Sequence, residues 1–214
     1  MRFRASTSLQ LAMTVSFLLL SAQFGLAHAA DSAPRTLKSG EILRGSFIQD
    51  RQLAGFARPL KTKGTFTLVP GRGLIWRAVS PFRSTTVITP AGILGEVNGQ
   101  ETMRVPASRT PGLAHLYDVL GGALSGNIAP LQKTFAVERS EVAGGWQMTL
   151  TPLHPDDLAM SQIKLLTVTG HRFVDTIEVD KLGDDIDRLS FIDQSATVIA
   201  LTADENNLLD ALHK

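Results

Sequence analysis

The chain has 214 residues, 21 basic and 20 acidic, with a formal charge of +1 and no cysteine. A balance this even gives no general attraction to nucleic acid, and the lack of cysteine removes both a disulfide framework and thiolate chemistry. Stability therefore has to come from a hydrophobic core.

Residues 1–29 read as a secretory signal peptide. Arg2 and Arg4 give a basic start, Leu11 to Leu20 an apolar run of about ten residues, and Ala27-His28-Ala29 a small-x-small cleavage site. The run is too short to span a bilayer, and no cysteine follows to take an N-terminal lipid anchor. Residues 30–214 are expected to form one soluble domain outside the cytoplasm. Its charge is uneven: residues 31–137 carry 13 basic and 6 acidic side chains, residues 138–214 carry 6 and 14. Either the molecule is polar end to end and docks a charged partner, or these charges solvate ordinary hairpins.

Alternating hydrophobicity with turn residues between segments predicts strands over 45–51, 63–68, 74–78, 85–89, 93–97 and 101–104, then 134–140, 146–151, 163–169, 172–180 and 187–193. Connectors such as Asn98-Gly99, Gly144-Gly145 and Gly170-His171 suit antiparallel hairpins. Two stretches break the pattern. Thr110-Pro111 caps a predicted helix in which Leu113, Leu116, Tyr117, Leu120, Ala123 and Leu124 recur at helical spacing before Gly126. Thr202-x-x-Glu205 reads as a capping box opening a short helix with Leu208, Leu209 and Leu212.

A sheet of about eleven strands curls, and at that strand number its interior is wider than its own side chains fill. The predicted fold is mainly β with helices (α+β), a partial antiparallel barrel whose space is filled either by the helices or by a ligand. Phe47, Phe66, Leu68, Leu74, Trp76, Val87, Ile93, Met148, Leu150, Ile163 and Leu165 are the candidate lining, each on one apolar face at period two. By residue type alone they serve equally as a plain packed core.

Enzyme chemistry finds little footing. There is no Gly-x-Ser-x-Gly elbow, phosphate loop or His-Glu-x-x-His motif, and His115, His154, His171 and His213 lack ligand spacing. Ser161-x-x-Lys164 and Lys63-Gly64-Thr65 echo penicillin-interacting serine enzymes, but in reversed order and with the serine opening a strand. Asp184, Asp185 and Asp187 lack the spacing of a calcium loop and read as a solvated turn. No catalytic residue, cofactor or metal is expected.

The motifs in series resemble the periplasmic outer-membrane lipoprotein carrier family, LolA-like, as a divergent member. Gly45-Ser46-Phe47-Ile48-Gln49 is similar to its early Phe-x-Gln strand and Gly64-Thr65-Phe66 to its Gly-x-Phe strand. Pro70-Gly71-Arg72, Trp76 and Ser80-Pro81-Phe82 are similar to its Arg-Pro-Gly-x-Phe-x-Trp…Pro run. The resemblance implies a half-open antiparallel barrel of about eleven strands with helices as a lid, and Leu113, Leu116 and Leu120 are then expected to fold into the empty cavity and partly close it. It implies a monomer in the periplasm that carries acylated lipoproteins from an inner-membrane exporter to an outer-membrane receptor, without covalent chemistry and touching membranes only through partners. Another envelope amphiphile as cargo, or a lipid-sensing adaptor role, stays open. The family's basic residue before Pro-Gly, which helps hold the lid, is replaced here by Val69. Arg72 and Arg77 stand to meet cargo head groups or a partner.

Overall fold

The computed structural model describes residues 34–109, 112–156 and 161–213, and no side chain of 112–116 or 213. The predicted signal peptide, 1–29, and the predicted cap Thr110-Pro111 lie outside the described residues.

All of the predicted strands form, each within a few residues of its expected ends. They are β1 (Ile42–Gln52), β2 (Leu60–Val69), β3 (Gly73–Ser80), β4 (Ser84–Thr89), β5 (Gly92–Val97) and β6 (Gln100–Pro106). After helix α1 (Gly112–Ser125) come β7 (Phe135–Val142), β8 (Gly145–Pro152), β9 (Ile163–Gly170), β10 (Val174–Lys181) and β11 (Ile186–Thr197), then helix α2 (Ala203–Asp210). The eleven strands make one sheet in the order β6-β5-β4-β3-β2-β1-β11-β10-β9-β8-β7. Every neighbour pair is antiparallel. β1 and β11 are joined at the centre, whereas β6 and β7 are the free edges, so the sheet is not closed.

The antiparallel order gives the sheet two ends. The β2–β3, β4–β5 and β9–β10 turns share one, which we term the turn end; the β1–β2, β3–β4, β5–β6 and β10–β11 connections share the other, the loop end. Helix α1 crosses the turn end. Before it, the Ala107 N–H donates to the Ala91 carbonyl at 2.8 Å; at its far end the Leu37 N–H donates to the Ser125 carbonyl at 2.9 Å. Gly126, with φ of 72°, stops the helix in the left-handed conformation that glycine adopts without strain.

Two hydrophobic clusters follow from strand alternation. The larger, on the inner face, joins Leu43, Phe47, Phe66, Leu74 and Phe191 to Met148, Leu150 and Val168, with Tyr117, Ala123 and Leu124 of α1 packed into it. The smaller, on the outer face of β3–β5, joins Ile75, Val87 and Leu94 to Leu208 and Leu209 of α2.

Candidate functional site

The inner face is built around four aromatic rings. The Phe47 and Trp76 ring centroids lie 3.9 Å apart, Phe66 and Trp76 6.2 Å, Phe66 and Phe191 5.4 Å, and Trp76 and Phe191 6.1 Å. They come from β1, β2, β3 and β11, four adjacent strands; Phe47, Phe66 and Phe191 are buried and Trp76 is half-buried.

Two glycines let these rings lie flat across the sheet. Cross-strand register places Gly45 opposite Phe66 and Phe47 opposite Gly64. A Cβ on Gly45 would fall 2.8 Å from a Phe66 ring carbon, and one on Gly64 would fall 2.7 Å from a Phe47 ring carbon. Each ring therefore occupies the space its partner glycine leaves vacant.

Of the predicted lining, Phe47, Phe66, Leu68, Leu74, Ile93, Met148 and Leu150 are buried in the inner cluster, and Trp76 and Ile163 pack against it, half-buried. Two residues belong elsewhere. Val87 faces outward beneath α2, because register aligns it with Ile75, and Ile88 takes the inward position opposite Leu74. With both β4 residues apolar, alternation alone could not choose between them. Leu165 is displaced by a bulge: Ile163 partners Lys181 and Leu165 partners Asp180, so Leu166 becomes the buried residue. Phe191 went unnoticed in sequence because its neighbour Ile192 is apolar too, and Ile192 is the exposed one.

On α1, Leu120 is half-buried against the inner cluster; the side chains of Leu113 and Leu116 lie outside the described residues. Tyr117 is buried beside the β2–β3 turn. Burial pushes its hydroxyl above the usual range, and a hydrogen bond with the Gly71 backbone pulls the other way. That contact ties the helix to the β2–β3 turn.

At the loop end the inner face becomes polar. Asp187, on the same face of β11 as Leu189 and Phe191, is buried and accepts from Arg51 Nε at 2.7 Å and from Lys181 Nζ at 2.5 Å. Burial raises its pKa, but the two cations outweigh that and hold the carboxyl below its ordinary value. Asp187 is thus no solvated turn residue: the strand begins at Ile186 and carries it inward. Asp184, with φ of 65°, does sit in the turn, and the Asp185 carboxylate accepts from the Ala54 N–H at 2.8 Å.

Arg72 and Arg77 point to α2. Arg72 donates to Asn206 Oδ1 at 2.8 Å and to Asp210 Oδ1 at 2.9 Å, and Arg77 pairs with Asp204. Arg77 reaches the helix because it shares the outer face with Ile75, where α2 lies. A recess of about 300 Å³ on this outer side is lined by Arg77, Val79, Arg83, Thr85 and Glu96, apart from the aromatic wall.

Among curated proteins none matches the chain. Solved structures similar to it include a LolA superfamily protein, NE2245, from Nitrosomonas europaea, at 8% identity and a TM-score of 0.44, over 82% of this chain and 94% of that one. Another is the MucA/MucB complex of Pseudomonas aeruginosa, at 12% identity and a TM-score of 0.38, over 77% of this chain and 54% of that one. LprF from Mycobacterium bovis aligns at 11% identity and a TM-score of 0.33, over 73% and 89% of the two chains. Scores this low say nothing about ligand or partner. The sequence itself is more specific: residues 27–208 match the family model described as outer membrane lipoprotein carrier protein LolA-like, and the chain belongs to that family.

Proposed function

We propose that this protein is a periplasmic carrier that holds acyl chains against the inner face of its sheet, acylated lipoproteins being the first candidate cargo. The observation that supports this is the aromatic wall of Phe47, Phe66, Trp76 and Phe191, covered by a helix that crosses one end of an unclosed sheet. A cover of this kind withdraws without breaking strand pairing. Cargo tails then replace α1 against the wall, and no bond is made or broken.

Magnitudes fit such an exchange. Burying a methylene is worth about 0.8 kcal/mol, so a sixteen-carbon chain gains on the order of 10 kcal/mol as an upper bound. Displacing the packed side chains of α1 offsets part of that gain, which keeps binding reversible. With the helix in place, the aromatic wall is not left as an exposed apolar patch that invites aggregation.

Uptake of a fluorescent fatty-acid probe tests the reading. Trp76→Asp or Leu120→Glu is expected to lower probe affinity at least tenfold, about 1.4 kcal/mol, while the strand-rich circular dichroism spectrum is retained. Unchanged uptake in a folded variant removes that residue from the site. Native mass spectrometry of protein taken from its own periplasm identifies the cargo: bound acylated protein supports lipoprotein carriage, and a bound small lipid supports carriage of another envelope amphiphile.

A further inference from the structure

We propose that the loop end of the sheet docks on an anionic lipid bilayer. Two neighbouring connections carry the observation: Phe56-Ala57-Arg58-Pro59-Leu60 leads from the β1–β2 loop into β2, and Val79-Ser80-Pro81-Phe82-Arg83 leads from β3 into the β3–β4 loop. Phe82 is 80% exposed, Phe56 63%, Leu60 58% and Val79 55%. The two segments adjoin because β2 pairs with β3, with Lys63 opposite Ser80. A single exposed apolar side chain is ordinary. Several on adjoining segments, two of them phenylalanines, mark a contact surface.

Charge selects the occupant. Residues 51–95 contain seven basic side chains and no carboxylate. Arg51 is held by Asp187, Lys61 by Asp50, and Arg72 and Arg77 by α2. That leaves Arg58, Lys63 and Arg83, which make no ion pair among the described residues, beside the exposed phenylalanines. Aromatic tips with cations around them match a bilayer interface, the rings entering the acyl boundary and the cations meeting phosphates. Asp185, which accepts from the Ala54 N–H of the β1–β2 loop, and Glu96, which lines the outer recess beside Arg83, border this surface, and Asp184 lies at the same end in the β10–β11 turn.

The surface is separate from the aromatic wall, and the empty protein docks as well as the loaded one, so the test uses no acyl ligand. The mature chain is co-sedimented with vesicles of phosphatidylglycerol and phosphatidylethanolamine, and with vesicles of phosphatidylcholine alone. Binding to the anionic vesicles that weakens with salt is expected. Each cation at the surface contributes a factor of about five, so Arg58→Glu with Arg83→Glu should weaken binding more than tenfold. Phe56→Ser with Phe82→Ser should weaken it about tenfold. If a double variant unfolds, Phe82→Ser and Arg83→Glu are read singly. No binding, equal binding to both vesicle types, or a folded variant that binds like the unchanged protein overturns the proposal. So does a photo-crosslinker at position 82 that captures an envelope protein when vesicles are not bound, since the surface then belongs to a protein partner.

Discussion

At the scale of single residues, the paired Gly-x-Phe segments 45–47 and 64–66 explain each other. Neither glycine is there for a turn; each leaves room for the ring of the opposite strand. Gly64 is the tighter of the two, since a Cβ there would also stand 1.9 Å from the Arg77 carbonyl oxygen, a backbone atom that cannot step aside. Gly64→Ala should therefore cost about 2 kcal/mol of stability, read as a lower urea midpoint at unchanged slope. The motif itself was visible in the sequence, but its reason was not, because the reason is a cross-strand register. The same limit separates Ile88 from Val87 and Leu166 from Leu165. Period two identifies a strand, yet where adjacent residues are both apolar, or a bulge intervenes, only the partner strand decides which one turns inward.

Among the elements, α2 shows most clearly what local signals reach and where they stop. Its capping box was legible and is formed: the Thr202 side chain accepts from the Glu205 N–H at 3.1 Å, and the Glu205 carboxylate accepts from the Thr202 N–H at 2.9 Å. The same carboxylate also accepts from Arg44 at 3.0 and 3.3 Å and from the Thr67 hydroxyl at 2.9 Å. Those partners are distant in sequence and left no local trace. Burial pushes the Glu205 pKa up, but hydrogen bonds from Arg44, the Thr202 backbone and Thr67 outweigh it and hold the group at about 2, against an ordinary 4.5. A folded-state value below the unfolded one means that the stabilisation is complete above about pH 4.5 and fades as pH falls towards about 2. Its size is on the order of 3 kcal/mol at most. Glu205→Gln should lower the thermal midpoint at neutral pH and flatten its decline in acid. An acid profile parallel to that of the unchanged protein would show that α2 is not held this way.

Over the whole molecule, the central strands and the covering helix differ in what ties them down. β1, β2 and β11 are paired on both sides and sit over the aromatic wall. Helix α1 is joined to the sheet by side-chain packing and a few end contacts, so it can open without unpairing a strand. Amide exchange should accordingly be slowest in β1, β2 and β11 and faster in α1 by one or more orders of magnitude. Exchange of α1 at the rate of global unfolding would contradict a displaceable cover. This architecture could be anticipated from eleven short segments and one interruption, since a sheet that long curls. The polar lip of Arg51, Asp187 and Lys181 could not, because it gathers residues from both halves of the chain.

The pairing of β1 with β11, with Phe47 opposite Phe191, also bears on how the molecule is made. The innermost seam joins an early segment to a late one, so closing it carries the entropy of a long loop and folding belongs to the slow class, on the order of milliseconds to seconds. Until the last strand has been synthesised, the earlier hairpins lack the partner that completes the sheet's centre. A polypeptide wired in this way stays uncommitted until almost all of it is available to fold.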